Sequence, residues 1–163
     1  MLRADPGARC YLVGGARSPL RQALPWAGTA SSDDEVVALA ENLALAMADD
    51  DTEGRIVVVV ESLSERLQSP ADKPLVALMK AAKASDHLVI AESETSGWGS
   101  TWPLLAEMKA GRRGLLLQPG AMDGDTIFKT SLPRTQASEF PPGRGMWVAR
   151  GRFVRVQVPL VIE

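Results

Sequence analysis

The sequence predicts an α/β fold: an open, mostly parallel sheet flanked by helices, followed by a C-terminal β-hairpin. Three observations predict it. Between residues 9 and 118, short apolar runs alternate with segments of helical periodicity. The apolar runs are continuous rather than alternating, which is typical of parallel strands covered on both faces. After Pro119 the long apolar runs stop, and two strand-like segments flank a glycine near the C-terminal end.

The N-terminal elements each have a local signature. Arg9–Val13 is a short apolar run ended by Gly14-Gly15, which predicts a buried strand entering a turn. Ser18-Pro19 predicts a short helix that ends near Pro25, with Ser as its N-cap. Ser32, followed by three acidic residues, predicts the capped start of a longer helix. The apolar face of that helix repeats at helical spacing: Val36, Leu39, Ala40, Leu43 and Met47.

The central elements continue the alternation. Arg55–Val60 contains five consecutive β-branched residues, and His87–Ala91 is a second apolar run, so both predict buried strands. Ala71–Lys83 and Thr101–Ala110 predict helices, each with a proline near its start. Gly114–Leu117 predicts a fourth strand, which completes an open sheet with right-handed crossovers.

The C-terminal segment predicts a β-hairpin. Met146–Ala149 and Phe153–Val158 flank Arg150-Gly151-Arg152, where glycine suits a tight turn. The length of 163 residues is that of about one domain. We therefore predict a single domain, with an α/β core at residues 9–118 and a loop plus hairpin at 119–163.

Composition excludes several function classes. The single Cys10 excludes a disulfide framework and a Cys-based zinc site, and the single His87 leaves a multi-His metal site without ligands. No apolar run approaches the roughly 18 residues of a membrane span, and no signal-peptide hydrophobic region opens the chain, so we expect a domain of cytosolic type. Residues 1–100 carry 9 basic and 15 acidic side chains, whereas residues 101–163 carry 9 basic and 5 acidic. The basic part either attracts a polyanion or places arginines on solvated strand faces.

Ligands of open α/β sheets bind beyond the carboxyl ends of the strands, so the residues there are the candidates for chemistry. Gly14-Gly15 lacks the second glycine, lysine and hydroxyl of a P-loop, which favours a plain turn. Val57–Val60 followed by Glu61 has the pattern of a Walker B strand, whose acid holds Mg²⁺. Ser62 stands where a second acid would polarise the attacking water. The alternative is that Glu61 merely ends a strand at the surface.

Two further strand ends offer weaker candidates. Glu92 and Ser93 follow His87–Ala91, where many motor ATPases keep a γ-phosphate sensor, but carboxylates there would repel phosphate, and a solvated loop is the alternative. Arg112-Arg113 is a candidate phosphate or subunit-interface pair, or a pair of cations placed against a helix C-terminus.

Seven segments together carry a family resemblance. They are RSPL (17–20), VVVVESL (57–63), HLVIAESET (87–95), GRRGLLLQP (111–119), MDGDTIF (122–128), LPR (132–134) and PPGRGMWVARGRFVRVQVPL (141–160). In this order and spacing they resemble the C-terminal portion of FtsK/SpoIIIE-type ATPases. The nearest match is the divergent actinobacterial branch that includes relatives of type VII secretion ATPases, and the likeness covers nearly the whole chain from Arg9 onward.

The resemblance implies a RecA-like P-loop-type fold, hexameric assembly, ATP and Mg²⁺ as cofactors, and ATP-driven movement of double-stranded DNA or, in secretion relatives, of protein substrates. It implies a cytoplasmic location, at the cytoplasmic face of the membrane where regions outside this chain provide an anchor. By position, Glu61 matches the Walker B acid and Mg²⁺ ligand, and Arg113 matches an arginine near the subunit interface, an arginine finger. The other matches lie on the nucleotide side: Glu92, Ser93, Asp123, Gly143 and Gly145.

The departures from the family pattern leave two functions open. No Walker A sequence is present, and the family pattern places it before residue 1, so the chain is either a fragment or a module that has lost its P-loop. The first function is part of an ATP-dependent DNA translocase, with this chain not hydrolysing ATP by itself. The second is a degenerate ATPase module for hexamer assembly or substrate docking in a DNA-translocation or type VII secretion machine.

DNA binding is a separate expectation. Arg144, Arg150, Arg152 and Arg155 are candidates for a stripe that contacts phosphates. Because successive strand residues point to opposite faces, Arg150 and Arg152 share a face only if no turn separates them. Gly151 indicates that a turn does, which weakens the stripe.

Overall fold

A computed structural model describes residues 7–134 and 136–159; residues 1–6, 135 and 160–163 of the predicted single domain lie outside the described part. The described chain divides into two compact units. The first contains the chain up to Glu94 together with Trp102–Met108, and the second contains Thr95–Thr101 and the chain from Lys109 onward. The single-domain interpretation stays a prediction.

The described part of the first unit contains a parallel sheet of four strands in the order β2-β1-β3-β4. The strands are β1 (Arg9–Val13), β2 (Gly28–Ala30), β3 (Ile56–Val60) and β4 (Leu88–Ala91). The predicted strands at β1, β3 and β4 are confirmed. Strand β2 was not predicted, because three residues that begin with glycine form no apolar run.

Strand β3 lies in the interior of this sheet, and four of its five residues are buried, as its run of β-branched residues predicts. Val60 pairs in register with Val13 of β1 and with Ala91 of β4. The prediction that β4 is buried is wrong, since within the described residues it pairs with β3 alone and the side chain of Ile90 is 41% exposed. An apolar run indicates a strand but does not determine whether that strand has one neighbour or two.

The described helices are α1 (Asp33–Ala48), α2 (Asp72–Ala84) and α3 (Pro103–Lys109). Helix α1 begins at the predicted Ser32 cap, which the structure shows to be a capping box: Glu35 Oε2 accepts from the backbone N–H of Ser32 at 3.1 Å, and Ser32 Oγ accepts from the backbone N–H of Glu35 at 3.4 Å. Four of the five predicted core positions of α1 are buried, and α1 packs against α2. The helix predicted after Ser18 is a single 3₁₀ turn at Pro19–Gln22. Among the described helices, none is long and apolar enough to cross a membrane.

The described part of the second unit contains an antiparallel sheet in the order β5-β6-β7. Its strands are β5 (Arg113–Leu117), β6 (Arg144–Ala149) and β7 (Arg152–Gln157). The predicted hairpin is confirmed, and Arg150 and Gly151 both have positive φ, as a two-residue type I′ turn requires. The assignment of Gly114–Leu117 to the parallel sheet is wrong. The described part of the long connection after β5 contains no α-helix that could serve as a crossover, and β6 pairs with β5 in the antiparallel direction.

One face of the antiparallel sheet is a small core. Leu116, Met146 and Val148 are buried on it. The ring of Phe128, at the end of a single π-helical turn (Gly124–Phe128), lies so close to Gly114 that a Cβ there would be 2.6 Å from Phe128 Cζ. Glycine at residue 114 therefore allows the ring to approach the sheet.

His87, immediately before β4, makes stability depend on pH. Its Nδ1 accepts a hydrogen bond from the backbone N–H of Ile56 at 3.2 Å, a role that needs the neutral ring. Burial lowers the pKa of His87 below its ordinary value of 6.5; nearby Arg9 and Arg55 lower it further, and Asp86 opposes the shift. The unfolded chain therefore binds this proton more tightly than the folded protein.

We expect the free energy of unfolding to be highest above pH 6.5 and to fall as the pH drops from 6.5 toward the lowered pKa of folded His87. Urea unfolding between about pH 7.5 and about pH 5.5 measures this, and His87 is the only histidine in the sequence. The pKa values of Glu35 and Glu139 are lowered below 4.5, so the stability that these two carboxylates contribute is lost at a lower pH than the contribution of His87. A His87→Asn variant keeps an acceptor without the titration; an unchanged pH dependence in that variant contradicts the assignment.

Candidate functional site

Glu61 extends β3 by one residue at the carboxyl edge of the parallel sheet. Its backbone N–H donates to the carbonyl of Val13 at 2.9 Å, so the ladder between β1 and β3 continues past their last pair, Val13 and Val60. Gly14 and Glu61 are consequently neighbours across the two strands. The predicted position of an acid at this edge is therefore where the structure places Glu61.

The carboxylate of Glu61 is enclosed rather than projected from the strand. Oε1 accepts a hydrogen bond from the hydroxyl of Ser18 at 2.8 Å. Oε2 is buried, has no hydrogen-bond partner among the described residues, and lies over Gly14, where an added Cβ would be 2.0 Å away. Glycine at residue 14 is thus required by the position of this carboxylate. The Ser18 hydroxyl also accepts from the N–H of Leu20 at 3.0 Å, which places the donor at the start of the 3₁₀ turn.

A small cleft opens beside this carboxylate. Its volume is about 250 Å³, and its lining consists of Gly15, Ser18, Glu61, Ser62, Glu65 and Arg66. Small-molecule sites have volumes of about 300–1,000 Å³, so this cleft is below the usual range. It has two carboxylates and one guanidinium in its lining, which gives it no excess of positive charge.

The guanidinium of Arg66 is already paired. It donates to Asp33 Oδ1 at 2.9 Å and to the carbonyl of Ser31 at 3.1 Å. Arg21 also bonds to this loop, donating to the Ser31 hydroxyl, and it donates to the carbonyl of Gly15. Both arginines therefore hold the loop before α1 in place instead of being available to an anionic ligand.

Glu92 and Ser93 hold the loop that follows Glu61. Ser62 has a left-handed backbone (φ 49°), which costs a residue with a side chain about 1–3 kcal/mol. Glu92 supports this conformation of Ser62 with two hydrogen bonds. The Oε2 atom of Glu92 accepts from the backbone N–H of Ser62 at 3.2 Å, and the carbonyl of Glu92 accepts from the backbone N–H of Leu63 at 2.9 Å. The hydroxyls of Ser93 and Ser64 lie 2.6 Å apart. The structure thus brings together Glu61, Glu92 and Ser93, with the latter two bonded to the loop.

The residues of this edge do not fit Mg²⁺–ATP as they are arranged. Mg²⁺ in nucleotide sites needs exposed carboxylate or hydroxyl oxygens together with the phosphates of the substrate. The buried Oε2 of Glu61 faces Gly14, and its Oε1 is bonded to Ser18. The described residues contain no group of three or more His, Cys, Asp or Glu side chains able to hold a metal ion. No catalytic step through ATP or Mg²⁺ follows from this geometry.

The remaining nucleotide-side candidates lie in the second unit. Asp123 Oδ2 accepts from the N–H of Gly120 at 2.7 Å and so closes the turn before the π-helical segment. Gly143 has φ 80° at the start of β6, and an added Cβ on Gly145 would be 2.5 Å from the carbonyl of Leu116. Each therefore has a backbone role, and their predicted contact with a nucleotide stays a prediction.

The arginines of the second unit form two groups. On one side of the sheet, Arg144 Nε donates to Gln157 at 3.4 Å, and Arg155 pairs with Glu139 at 3.2 Å and lies over the ring of Phe140. Arg113 and Arg152 flank Ala149 on the opposite face, and Arg150 lies in the adjoining turn. The four residues predicted as a DNA-binding stripe are not on one face, and Arg113, predicted as an arginine finger, joins Arg150 and Arg152.

The sequence did not reveal three residues that define the edge of the parallel sheet. Ser18 was predicted as a helix cap, but its bond to Glu61 joins residues 43 positions apart. Gly14 was predicted as a turn residue without a requirement for its missing side chain. Arg66 has no sequence signal at all, because its partner Asp33 belongs to a distant helix start.

No protein-family model matches the chain, and no curated protein matches it either. Solved structures do. The chain is 22% identical, with a TM-score of 0.72, to Thermomonospora curvata EccC (ATPases 2 and 3) in complex with a signal sequence peptide, over 96% of this chain and 31% of that chain. It is 23% identical, with a TM-score of 0.70, to the cytoplasmic domain of the Thermomonospora curvata type VII secretion ATPase EccC, over 96% and 20%.

A third structure, EssC (ATPases 2 and 3) from Geobacillus thermodenitrificans, is 18% identical with a TM-score of 0.62, over 98% of this chain and 32% of that chain. The chain therefore spans about a third or less of the length of these structures. At these identities the likeness shows the fold, and the predicted RecA-like α/β fold is confirmed. The predicted actinobacterial branch stays a prediction.

We expect Gly14→Ala to lower the free energy of unfolding by about 1–3 kcal/mol, because the new methyl group displaces the Glu61 carboxylate from its bond with Ser18. Gly15→Ala is the matched control, since an added Cβ there meets no described atom within 4 Å. Urea unfolding measures both. In a Glu61→Ala background the Gly14→Ala loss is expected to shrink. Equal losses at residues 14 and 15 contradict the proposed packing.

Proposed function

We propose that this chain is a module with the fold of a type VII secretion ATPase that docks a substrate or assembles with other subunits and does not itself hydrolyse ATP. The observation that carries the proposal is the enclosed carboxylate of Glu61. An acid that holds Mg²⁺ at a strand end has to face the nucleotide, whereas the Oε2 atom of Glu61 faces Gly14 and is buried.

The rest of the edge supports the same function. Ser62 stands where a hydrolytic acid is expected, and a serine side chain cannot act as the base that such an acid provides. Glu92 and Ser93 bond to the loop after β3. A domain that does not hydrolyse ATP can have the fold of an ATPase, because the sheet and helices still position its surfaces.

The kind of machine in which this module works is inferred from its structural neighbours. EccC is a type VII secretion ATPase, and one structure of it holds a signal sequence peptide. We infer that the chain works in a comparable secretion machine, on the cytoplasmic side, with a secreted protein as the substrate that it docks. Hexameric assembly belongs to this proposal.

A second candidate is part of an ATP-driven DNA translocase. The observation in its favour is the set of exposed arginines in the second unit, where nine Lys or Arg residues stand against three Asp or Glu among the described residues. Arg144 and Arg155 are engaged by Gln157 and Glu139, which leaves a smaller basic surface than the sequence suggested. We therefore place it second.

We expect the purified 163-residue protein to show neither saturable binding of Mg²⁺–ATP nor phosphate release above the protein-free background, because the acid of β3 is enclosed. Isothermal titration and a phosphate-release assay measure the two properties. Glu61→Gln and its matched control Glu65→Gln are expected to leave both readings unchanged. Steady phosphate release that Glu61→Gln abolishes and Glu65→Gln retains overturns the proposal.

A further inference from the structure

The antiparallel sheet of the second unit has one face that the described chain leaves uncovered. Strand pairing places Leu115, Trp147 and Val154 side by side across β5, β6 and β7, with side chains pointing away from the buried Met146 and Val148. Their exposed fractions are 38%, 43% and 56%. The next row adds Leu117, 53% exposed, and Val156. We call these five residues the outer face.

One end of this sheet is strongly cationic. Arg113 and Arg152 flank Ala149 in the row next to Leu115, Trp147 and Val154, which puts their Cα atoms about 10 Å apart. Arg112 precedes β5, and Arg150 lies in the β6–β7 turn at the same end. All four are exposed, and within residues 7–134 and 136–159 none has an ion pair or a side-chain hydrogen bond. We call these four the arginine end.

We propose that the outer face and the arginine end form one docking surface for an acidic amphipathic helix of a partner protein. This inference rests on the proposed docking function and names its surface. A flat sheet face of about 20 Å accommodates a helix of about 14 residues, which is how helices cover sheets in layered folds. The apolar stripe of such a helix covers Leu115, Trp147 and Val154, and its carboxylates meet the arginine end.

Charge favours this occupant over a second copy of the chain. A symmetric contact would place the outer face against itself, and the described residues of that face and of the arginine end include no carboxylate to pair with four guanidiniums. The described acids of the unit are engaged elsewhere: Asp123 with Gly120, Asp125 with Ser131 and Glu139 with Arg155.

The apolar rows favour a protein over nucleic acid. Duplex DNA presents phosphates and sugars, which would leave Leu115, Leu117 and Val154 in contact with water or charge. Single-stranded nucleic acid binds by stacking successive bases on several aromatic rings, and Trp147 is the one aromatic side chain among the described residues of the outer face. A helix with an apolar stripe next to Asp or Glu residues matches both parts of the surface.

A selection from displayed random peptides of about 14 residues tests the proposal, with the folded 163-residue protein as the target. We expect enriched sequences to combine apolar residues at helical spacing with Asp or Glu. Binding of the synthesised peptide is expected to weaken at least about fivefold in Trp147→Gln, since buried Trp residues dominate interfaces. In the double variant Arg113→Gln/Arg152→Gln, the affinity for the peptide is expected to fall about three- to tenfold and to lose its dependence on salt concentration.

Matched controls separate the surface from general effects. Leu45→Gln removes an apolar side chain that is 72% exposed on α1, and Arg17→Gln removes an exposed arginine; neither is expected to change peptide binding. Circular dichroism melting verifies that each variant is folded, and the outward direction of Trp147 makes its replacement compatible with the core.

The proposal is overturned if the selection enriches no sequence, or if the enriched peptide binds the Trp147→Gln variant as tightly as the parent protein. It is also overturned if labelled duplex or single-stranded DNA binds through the same arginines while no peptide does. A dimer in sedimentation that Trp147→Gln dissociates overturns it as well. These results are independent of ATP turnover. Phosphate release by the chain would contradict the proposal that it does not hydrolyse ATP, but would not contradict the docking surface. Failure to bind a peptide would contradict the docking surface alone.

Discussion

Adjacent parallel strands lie about 4.8 Å apart, so a side chain that folds back over the end of a neighbouring strand needs a residue there without a Cβ. Gly14 is that residue for Glu61. The carboxylate then lies within reach of the Ser18 hydroxyl, and the loop after β3 turns through Ser62 in a left-handed conformation that Glu92 supports. The carboxylate of Glu61 thus links the end of β3 to the end of β1 and to the start of the 3₁₀ turn.

The structural likeness of this chain to ATPase domains does not extend to the chemistry of its Glu61 edge. The fold matches that of EccC and EssC structures, whereas the carboxylate of Glu61, which the sequence predicts as a Mg²⁺ ligand, is bonded to Ser18 within the chain. The buried Oε2 of Glu61 has no partner within the described part of the chain, which is costly, and such costs persist only where the surrounding packing over-determines the conformation. In the proposed function the parallel sheet is a scaffold, and the surfaces of the module carry the role.

In the second unit the controlling feature is the two-residue period of its strands. One face of the β5–β6–β7 sheet buries Met146 and Val148, while the other exposes Leu115, Trp147 and Val154 in a row. The same period divides the arginines, because Arg152 and Arg155 differ by three positions and so lie on opposite faces. The basic C-terminal part of the sequence is consequently an arginine end beside an apolar face, together with two arginines held by Gln157 and Glu139.

By itself the sequence determined the features that depend on neighbours along the chain: the β-branched strand β3, the capping box of α1, the turn of the hairpin and the acid at the end of β3. Tertiary structure decided the pairing. It placed β5 in the antiparallel sheet, left β4 at an edge, and directed Glu61 to Gly14 and Ser18, 47 and 43 positions away. The physical reason is that apolar runs and carboxylates indicate which groups leave water or seek partners, whereas the partner is selected only when distant segments meet in space.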